Sequence, residues 1–358
     1  MRVLIAAGGT GGHIYPGIAV ANEIRRRDPL SVVRFVGTAH GLETRLVPSA
    51  GFELSIIESA GLVNMGWLLR LRGLLVLPKS LLAARRLIKS FAPDVVVGAG
   101  GYVSGPVVLT ASLMHLPTVV MELNAVPGFT NRRLAQFVDA AAVSFDAALP
   151  YFRGRGVVTG NPVRREFFDI KTKQRDPRRF SLLLFGGSQG SRVINSAMIA
   201  ALGRLENFRE RMRITHQTGV SDFARVRDAY LNAGWEKQAQ VREYIDDIMT
   251  DFGENDLVVS RAGATTTAEL MAAGKPAIMV PLPGQLEQRR NAEVMQNAAA
   301  ARMILQDELN GERLAGEIAS LMGEPETISR MEIASRKLAR PDAAKATVDL
   351  IESVMKRA

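Results

Sequence analysis

Residues 3–21 read VLIAAGGTGGHIYPGIAVA and contain an apolar run, a glycine cluster and a proline, in that order. Residues 3–7 are apolar without interruption, which is typical of a strand buried on both faces of a parallel sheet. The glycines of residues 8–12 allow a sharp turn and close approach of a ligand, although a tight turn could require them for its geometry alone. Pro16 predicts the first residue of a helix. Free N–H groups and the helix dipole then predict an anion site, and His13 is the first titratable side chain beside it.

The composition limits the class of protein. A chain of 358 residues is expected to form two domains. It contains no cysteine, which excludes disulfides and thiolate metal sites. The formal net charge of +9 favours anionic partners, namely nucleic acid, acidic lipid or a phosphorylated substrate. Residues 95–121 lack Asp, Glu, Lys and Arg, but glycines and prolines interrupt them, so we predict a buried α/β core rather than a membrane span.

Apolar runs alternate with helical segments in both halves of the chain, which predicts doubly wound parallel sheets. The predicted strands after the first are residues 32–36, 55–57, 94–97, 117–121 and 140–144, then 181–185, 214–217, 240–244, 256–259 and 277–280. The opening motif recurs after the basic segment 171–179, because strand 181–185 is followed by GGSQGSR and a helix from about residue 193. The two copies predict two similar nucleotide-fold domains that face each other across a cleft, with ligands at the carboxyl ends of the strands.

Several polar residues lie in the predicted loops, and most have a structural and a functional interpretation. Ser188 offers a hydroxyl to a second phosphate-binding loop. Glu269, in SRAGATTTAE, either completes a capping box with Thr266 or accepts the two hydroxyls of a ribose. His13 is a structural loop residue, a general base or an imidazolium that pairs with phosphate. No Asp-x-Asp occurs, so helix dipoles and a cation such as Arg164 would stabilise a leaving diphosphate.

A basic segment lies between the predicted strands 55–57 and 94–97. Residues 59–93 contain six basic residues and no acidic one. On a helix over residues 78–91 we expect an inward apolar face formed by Leu81, Ala84, Ile88 and Phe91. The opposite face is basic with an apolar residue in it, and the predicted patch comprises Leu75, Lys79, Leu82, Arg85, Arg86 and Lys89. A charged face alone is usually solvated, but an apolar residue inside a basic face favours an anionic membrane surface.

Motifs along the whole chain resemble those of one family. In order they read GGTGGHIYPGIAVA, GGYVSGP, GNPVR, GGSQGSR, EYIDDI and SRAGATTTAE with the following EQRRNA. They are similar to the MurG family, the peptidoglycan N-acetylglucosaminyltransferases that convert lipid I to lipid II. The resemblance implies a GT-B fold of two Rossmann-like domains, residues 1–161 with the C-terminal helix 341–358, and residues 162–340. It also implies an α/β transferase that inverts the anomeric carbon without a metal or other cofactor.

The resemblance further implies the substrates, the location and the site residues. The donor is UDP-N-acetylglucosamine, and the acceptor is the 4-hydroxyl of the muramyl sugar on undecaprenyl diphosphate, at the cytoplasmic membrane face and without nucleic acid. His13 is the candidate base, Ile245 is placed to meet uracil through its backbone, and Glu269 takes the ribose. The residues implied to bind the donor are Thr10, Gly11, Gly12, Asn124, Arg164, Ser188, Ile245, Ala264, Thr265, Thr266, Thr267, Ala268, Glu269 and Gln288.

One loop departs from the family pattern. Many relatives carry Gln-Gln or His-Gln where this chain has Glu287-Gln288, and the loop is about a residue shorter. Taken alone, Gln285 and Gln288 are ordinary surface residues, whereas the resemblance implies that Gln288 reads the hydroxyls of N-acetylglucosamine. Two alternative functions remain at this point: a UDP-N-acetylglucosamine 2-epimerase, which shares the two-domain fold, and a non-catalytic membrane-bound scaffold that binds a UDP-sugar.

Overall fold

The computed structural model describes residues 1–58, 67–176, 178–187 and 189–357, with side chains from residue 77 onward in the helix that begins at Trp67. The chain divides into two compact units, Met1–Arg164 with Arg340–Ala358, and Arg165–Ala339. These limits differ by at most three residues from the domain ranges expected from the sequence. Each unit contains one parallel sheet, in which every pair of neighbouring strands runs in the same direction.

The first unit is built on a seven-stranded sheet. Its strands are β1 (Arg2–Ala7), β2 (Val32–Gly37), β3 (Glu53–Ile56), β4 (Val95–Gly100), β5 (Thr118–Glu122), β6 (Ala140–Val143) and β7 (Gly156–Val158). Its helices are α1 (Gly11–Arg27), α2 (Glu43–Ser49), α3 (Trp67–Phe91), α4 (Ser104–Leu113) and α5 (Phe129–Leu134). The spatial order β3-β2-β1-β4-β5-β6-β7 places the apolar runs of β1, β4 and β5 in the middle, where both faces are covered.

The first helix begins earlier than the sequence predicts. Helix α1 starts at Gly11, so Pro16 is its sixth residue rather than its first. The prediction was wrong because burial overrides the low helix propensity of the glycines: Ile14, Pro16 and Gly17 all pack into the core. Pro16 has no N–H, so it only removes one backbone bond of the second turn. Functional residues after Gly11 therefore lie on the helix itself.

The second unit is built on a six-stranded sheet with the order β10-β9-β8-β11-β12-β13. Its strands are β8 (Phe180–Phe185), β9 (Met212–Gln217), β10 (Ala239–Arg242), β11 (Leu257–Ser260), β12 (Ala277–Met279) and β13 (Ala301–Met303). Its helices are α6 (Arg192–Ala201), α7 (Phe223–Asn232), α8 (Ile248–Glu254), α9 (Ala264–Ala273), α10 (Leu286–Asn297), α11 (Gly311–Gly323) and α12 (Pro325–Leu338). Buried apolar side chains from these strands and helices form the hydrophobic core of this unit.

The last helix, α13 (Ala343–Met355), returns the chain to the first unit and packs against α1. Arg27 of α1 joins them, since its Nη1 lies 2.7 Å from Asp349 and 3.2 Å from Glu352. Residues 95–121 form β4, α4 and β5 as predicted. Among the helices in the described ranges, none combines the length and the apolar character that a membrane crossing requires.

Candidate functional site

A buried carboxylate organises the glycine loop between β1 and α1. Glu43, in the first turn of α2, is fully buried. Its Oε2 accepts a hydrogen bond from the Gly9 N–H at 2.9 Å, and its Oε1 accepts from the Thr38 N–H and hydroxyl, both at 2.8 Å. Burial alone would raise the pKa of Glu43, but the hydrogen bonds from Thr38 and Gly9 outweigh it and hold the pKa below its usual value. Part of the predicted anion site is thus filled by the protein's own carboxylate.

His13 lies in the first turn of α1, directly against the end of β4. A Cβ placed on Gly100, whose φ is +116°, would meet the imidazole Nδ1 at 2.2 Å. Gly101 approaches the first loop in the same way, since a Cβ there would meet the Gly8 carbonyl oxygen at 2.2 Å. The loops after β1 and β4 therefore form one surface, and only glycine permits this contact. Burial lowers the pKa of His13, and a hydrogen bond to the Ala99 backbone offsets part of this decrease. The imidazole is therefore neutral at pH 7.

The loop after β5 is held by a second buried carboxylate. Glu122 accepts hydrogen bonds from the Asn124 N–H at 2.9 Å, the Asn124 side-chain amide at 3.1 Å and the Asn131 side-chain amide at 2.9 Å. Burial raises the pKa of Glu122, and these donors partly offset the rise. Asn124, a predicted donor contact, is therefore oriented by Glu122, a residue whose role the sequence did not indicate.

Arg164, at the end of the first unit, lies beside α1. Its guanidinium carbon is 5.1 Å from the centroid of the Tyr15 ring, a cation–π distance. Tyr15 follows His13 on the same helix by two residues. The structure thus places the predicted cation in the first unit, near the first glycine loop.

The second glycine loop, residues 186–190, follows β8 and precedes α6. Its predicted hydroxyl, Ser188, falls outside the described residues. Gly190 lies so close to β9 that a Cβ would meet the Thr218 carbonyl oxygen at 1.8 Å. Ile245, the residue assigned to uracil, is 4% exposed and donates its N–H to the Gln217 side chain at 3.0 Å. That N–H is committed within the protein, which leaves the Ile245 carbonyl as the main-chain group for a base.

The structure excludes the capping-box interpretation of Glu269. Helix α9 begins at Ala264 with Gly263 as its N-cap, so Thr266 lies inside the helix and cannot cap it. Ala264, Thr265 and Thr266 are partly exposed in the first turn, and Glu269 is half-buried in the second. Thr267 is buried and donates its hydroxyl to the Gly263 carbonyl, so it braces the loop from within.

Two further side chains fix the neighbouring loops of the second unit. Arg261 donates to the Val280 carbonyl at 3.2 Å and to the Gln306 side chain at 2.8 Å, and burial lowers its pKa. Gln288 donates to Gln285 Oε1 at 3.0 Å and accepts the Leu282 N–H at 3.1 Å. The sequence did not single out Arg261. Gln288 is held by its loop and is not an ordinary surface residue.

Similarity to known proteins identifies the class and the family to which this chain belongs. Residues 3–143 match the Glycosyltransferase family 28 N-terminal domain, and residues 181–347 match the family 28 C-terminal domain. With the two parallel sheets, these matches define a glycosyltransferase of the GT-B fold, as predicted. The protein named "UDP-N-acetylglucosamine--N-acetylmuramyl-(pentapeptide) pyrophosphoryl-undecaprenol N-acetylglucosamine transferase" in Anaeromyxobacter sp. (strain Fw109-5) is 46% identical over 100% of this chain and 94% of that protein. The protein of the same name in Citrifermentans bemidjiense is 44% identical over 99% of both chains.

Solved structures agree with this assignment. Acinetobacter baumannii MurG has a TM-score of 0.79 and 29% identity over 98% of this chain and 99% of that chain. A putative UDP-N-acetylglucosamine 2-epimerase from Listeria monocytogenes has a TM-score of 0.75 but only 16% identity over 100% of this chain and 97% of that chain, so it shares the fold alone. The chain belongs to the family of pyrophosphoryl-undecaprenol N-acetylglucosamine transferases, which confirms the resemblance found in its motifs.

Proposed function

We propose that this chain transfers N-acetylglucosamine from UDP-N-acetylglucosamine to the muramyl sugar of lipid I and so forms lipid II for peptidoglycan. The observation that carries this proposal is the 46% identity over both units to a relative whose printed name states that transfer. The 2-epimerase alternative is less supported, since the epimerase structures from Listeria monocytogenes and Neisseria meningitidis are only 16% and 14% identical to this chain.

The second unit is proposed to bind the donor. The first turn of α9 directs backbone N–H groups and the positive end of the helix dipole towards a diphosphate. Arg261 adds a positive charge held by carbonyl and amide oxygens at the start of the same loop. These groups stabilise the charge that develops on the leaving UDP. Glu269, one turn further along α9, accepts the ribose hydroxyls.

The first unit is proposed to activate the acceptor. The 4-hydroxyl oxygen attacks the anomeric carbon of N-acetylglucosamine, the bond from that carbon to the diphosphate oxygen breaks, and configuration inverts. The hydroxyl proton passes to His13, whose lowered pKa keeps the imidazole neutral and able to accept it. Glu43 supports this step by fixing the loop in front of His13.

Helix α3 is proposed to attach the protein to the anionic cytoplasmic face of the membrane, where the lipid-linked acceptor lies. Leu82 is 55% exposed, and Lys79, Arg85, Arg86 and Lys89 surround it as exposed side chains. Ala84, Ile88 and Phe91 are buried on the opposite face. Leu75 is outside the described side chains. Cationic side chains around an exposed leucine match the chemistry of an anionic lipid surface.

The direct test is incubation with radiolabelled UDP-N-acetylglucosamine and a lipid I analogue. We expect label to appear in the lipid fraction, and only when both substrates are present. Formation of an N-acetylmannosamine product from the donor alone would indicate an epimerase. Binding of donor and lipid without turnover would indicate a scaffold.

A further inference from the structure

Gln217 connects two loops that flank its own strand. It is the last residue of β9, and its side chain is 4% exposed. Its Nε2 donates to the Gly187 carbonyl at 2.8 Å, and its Oε1 accepts the Ile245 N–H at 3.0 Å. A carboxamide that donates to one loop and accepts from another fixes both their spacing and their orientation, because both hydrogen bonds are directional.

The contact to Ile245 takes over where the backbone ladder ends. After β9 and β10, the Thr218 N–H still donates to the Arg242 carbonyl at 3.0 Å, and the Gly219 N–H donates to the Glu243 carbonyl at 3.1 Å. Strand β10 is at the edge of the six-stranded sheet, so it forms backbone hydrogen bonds with one neighbouring strand, β9. Two residues beyond Glu243, the Gln217 side chain holds the main chain at Ile245.

We propose that Gln217 is a positioning residue for the nucleobase of the donor. By holding the Ile245 N–H, it orients the Ile245 carbonyl to accept a hydrogen bond from N3–H of a pyrimidine, and it ties this loop to the glycine loop at Gly187. Uracil carries a proton on N3, whereas cytosine presents a lone pair there, so a fixed carbonyl favours uridine over cytidine nucleotides. This inference rests on the proposed function, because it concerns the base of the proposed donor.

The test compares Gln217→Met with the wild type by calorimetric titration of UDP and of CDP, beside steady-state transfer. Methionine keeps the length and the burial but removes both hydrogen bonds. We expect UDP binding and KM for UDP-N-acetylglucosamine to worsen by about tenfold, with kcat within about threefold of wild type. CDP has the same ribose and diphosphate, so its affinity should change little, and the UDP preference should fall by a similar factor.

A second variant, Gln217→Glu, separates the two hydrogen bonds. One carboxylate oxygen still faces the Ile245 N–H, but the other faces the Gly187 carbonyl and repels it. Binding of UDP-N-acetylglucosamine should be weak at about pH 8 and should recover as the pH falls towards about 5.5, because a protonated carboxyl can donate to that carbonyl. The wild type should show no such recovery.

Gln296→Met is the matched control. Gln296 Oε1 also accepts a backbone N–H, that of Met303 at 3.0 Å, but its side chain is exposed on α10. This variant should leave the UDP preference unchanged. A folded Gln217→Met protein with an unchanged preference, or with equal losses for UDP and CDP, would overturn the positioning role. A wild type that binds UDP no better than CDP would contradict the proposed donor itself, and with it this inference.

Discussion

His13 is expected to act as a neutral base, and its surroundings define how that role is tested. Loss of a general base lowers rates by about 10²–10⁴-fold, so His13→Ala should lower kcat by that order and leave UDP affinity nearly unchanged. Because burial lowers the pKa of His13 below its ordinary 6.5, wild-type activity should stay level as the pH falls from 8 to about 6.5 and decline only below that. Transfer assays and UDP titration over this pH range provide the measurement.

A control separates His13 from histidines in general. His115 is exposed and has a φ of +59°, a conformation that asparagine tolerates, so His115→Asn should keep full activity. Activity of His13→Ala within about threefold of the wild type would rule out a general-base role. Activity that rises as the ring becomes protonated would instead indicate an imidazolium paired with phosphate.

His216 predicts a pH dependence of stability. It is completely buried between Tyr230 and Asn195, 3.1 Å and 3.0 Å from its ring nitrogens, and burial lowers its pKa to about 3. Between pH 6.5 and about 3 the unfolded chain binds a proton here that the folded protein does not. The free energy of unfolding therefore decreases as the pH is lowered from 6.5 to about 3, by up to about 1.4 kcal/mol per pH unit from this group. In chemical denaturation from pH 7 to 4, His216→Gln should start less stable but lose less. An equal loss in both proteins would contradict this assignment.

At the scale of elements, helix α9 predicts a binding defect in Glu269→Ala. Glu269 is in the second turn, and the helix N-cap is Gly263, so removing the carboxylate leaves the cap intact. Hydrogen bonds to a charged group contribute about 1.5–3 kcal/mol, which corresponds to about a ten- to a hundredfold weaker binding of UDP. The melting temperature should change little. Glu287→Ala, in the first turn of α10, is the control. A destabilised Glu269→Ala protein with normal UDP affinity would refute the ribose contact.

Helix α3 predicts salt-sensitive binding to anionic vesicles. Each Lys or Arg near such a surface contributes about 1 kcal/mol, and salt screens it. Reversing Arg85, Arg86 and Lys89 to Glu should release the protein from anionic vesicles in co-sedimentation. It should also slow turnover on a membrane-embedded acceptor and spare a short-chain, water-soluble one.

The α3 experiment needs a control of equal charge. Reversing Arg204, Arg227 and Arg313, exposed residues of the second unit, changes the net charge by the same amount. This variant should still sediment with vesicles. If the α3 variant also sediments, or loses both activities equally, the basic face is only solvated.

At the scale of the molecule, the sequence predicted the strands that are buried on both faces of a sheet. The apolar runs of β1, β4, β8 and β11 predicted two parallel sheets because strands buried on both faces need no polar alternation. Strands β7 and β13 were not predicted, because Gly156 and Arg302 leave each of them without an apolar run, whereas the equally short β12 lies in the apolar run 277–280.

The predicted site residues fell on glycine loops and helix starts, whereas the residues that support them were missed. Glu43 reaches Gly9 across 34 positions, and Gln217 reaches Ile245 across 28. Their side chains acquire a role only through strand order, which brings distant loops to one edge of each sheet. The predicted start of helix α1 was wrong for a related reason, because tertiary packing determines that the helix begins at Gly11.

The two cores predict two transitions in scanning calorimetry, each belonging to one unit. UDP at about 100 times its Kd adds about 2.7 kcal/mol to the stability of the unit that binds it, which should raise the temperature of that transition by about 5–10 °C.

Arg27→Met removes the contacts from α1 to Asp349 and Glu352 of α13, so it should lower the temperature of the other transition. Arg27 is 19% exposed but Asp349 and Glu352 are 57% and 36% exposed, so these contacts contribute about 1 kcal/mol, which corresponds to a shift of about 2–4 °C. Arg204→Met removes an exposed ion pair with Glu312 and should move neither transition. If UDP and Arg27→Met shift the same single transition, the units unfold as one body and the assignment of α13 to a separately stable first unit is wrong.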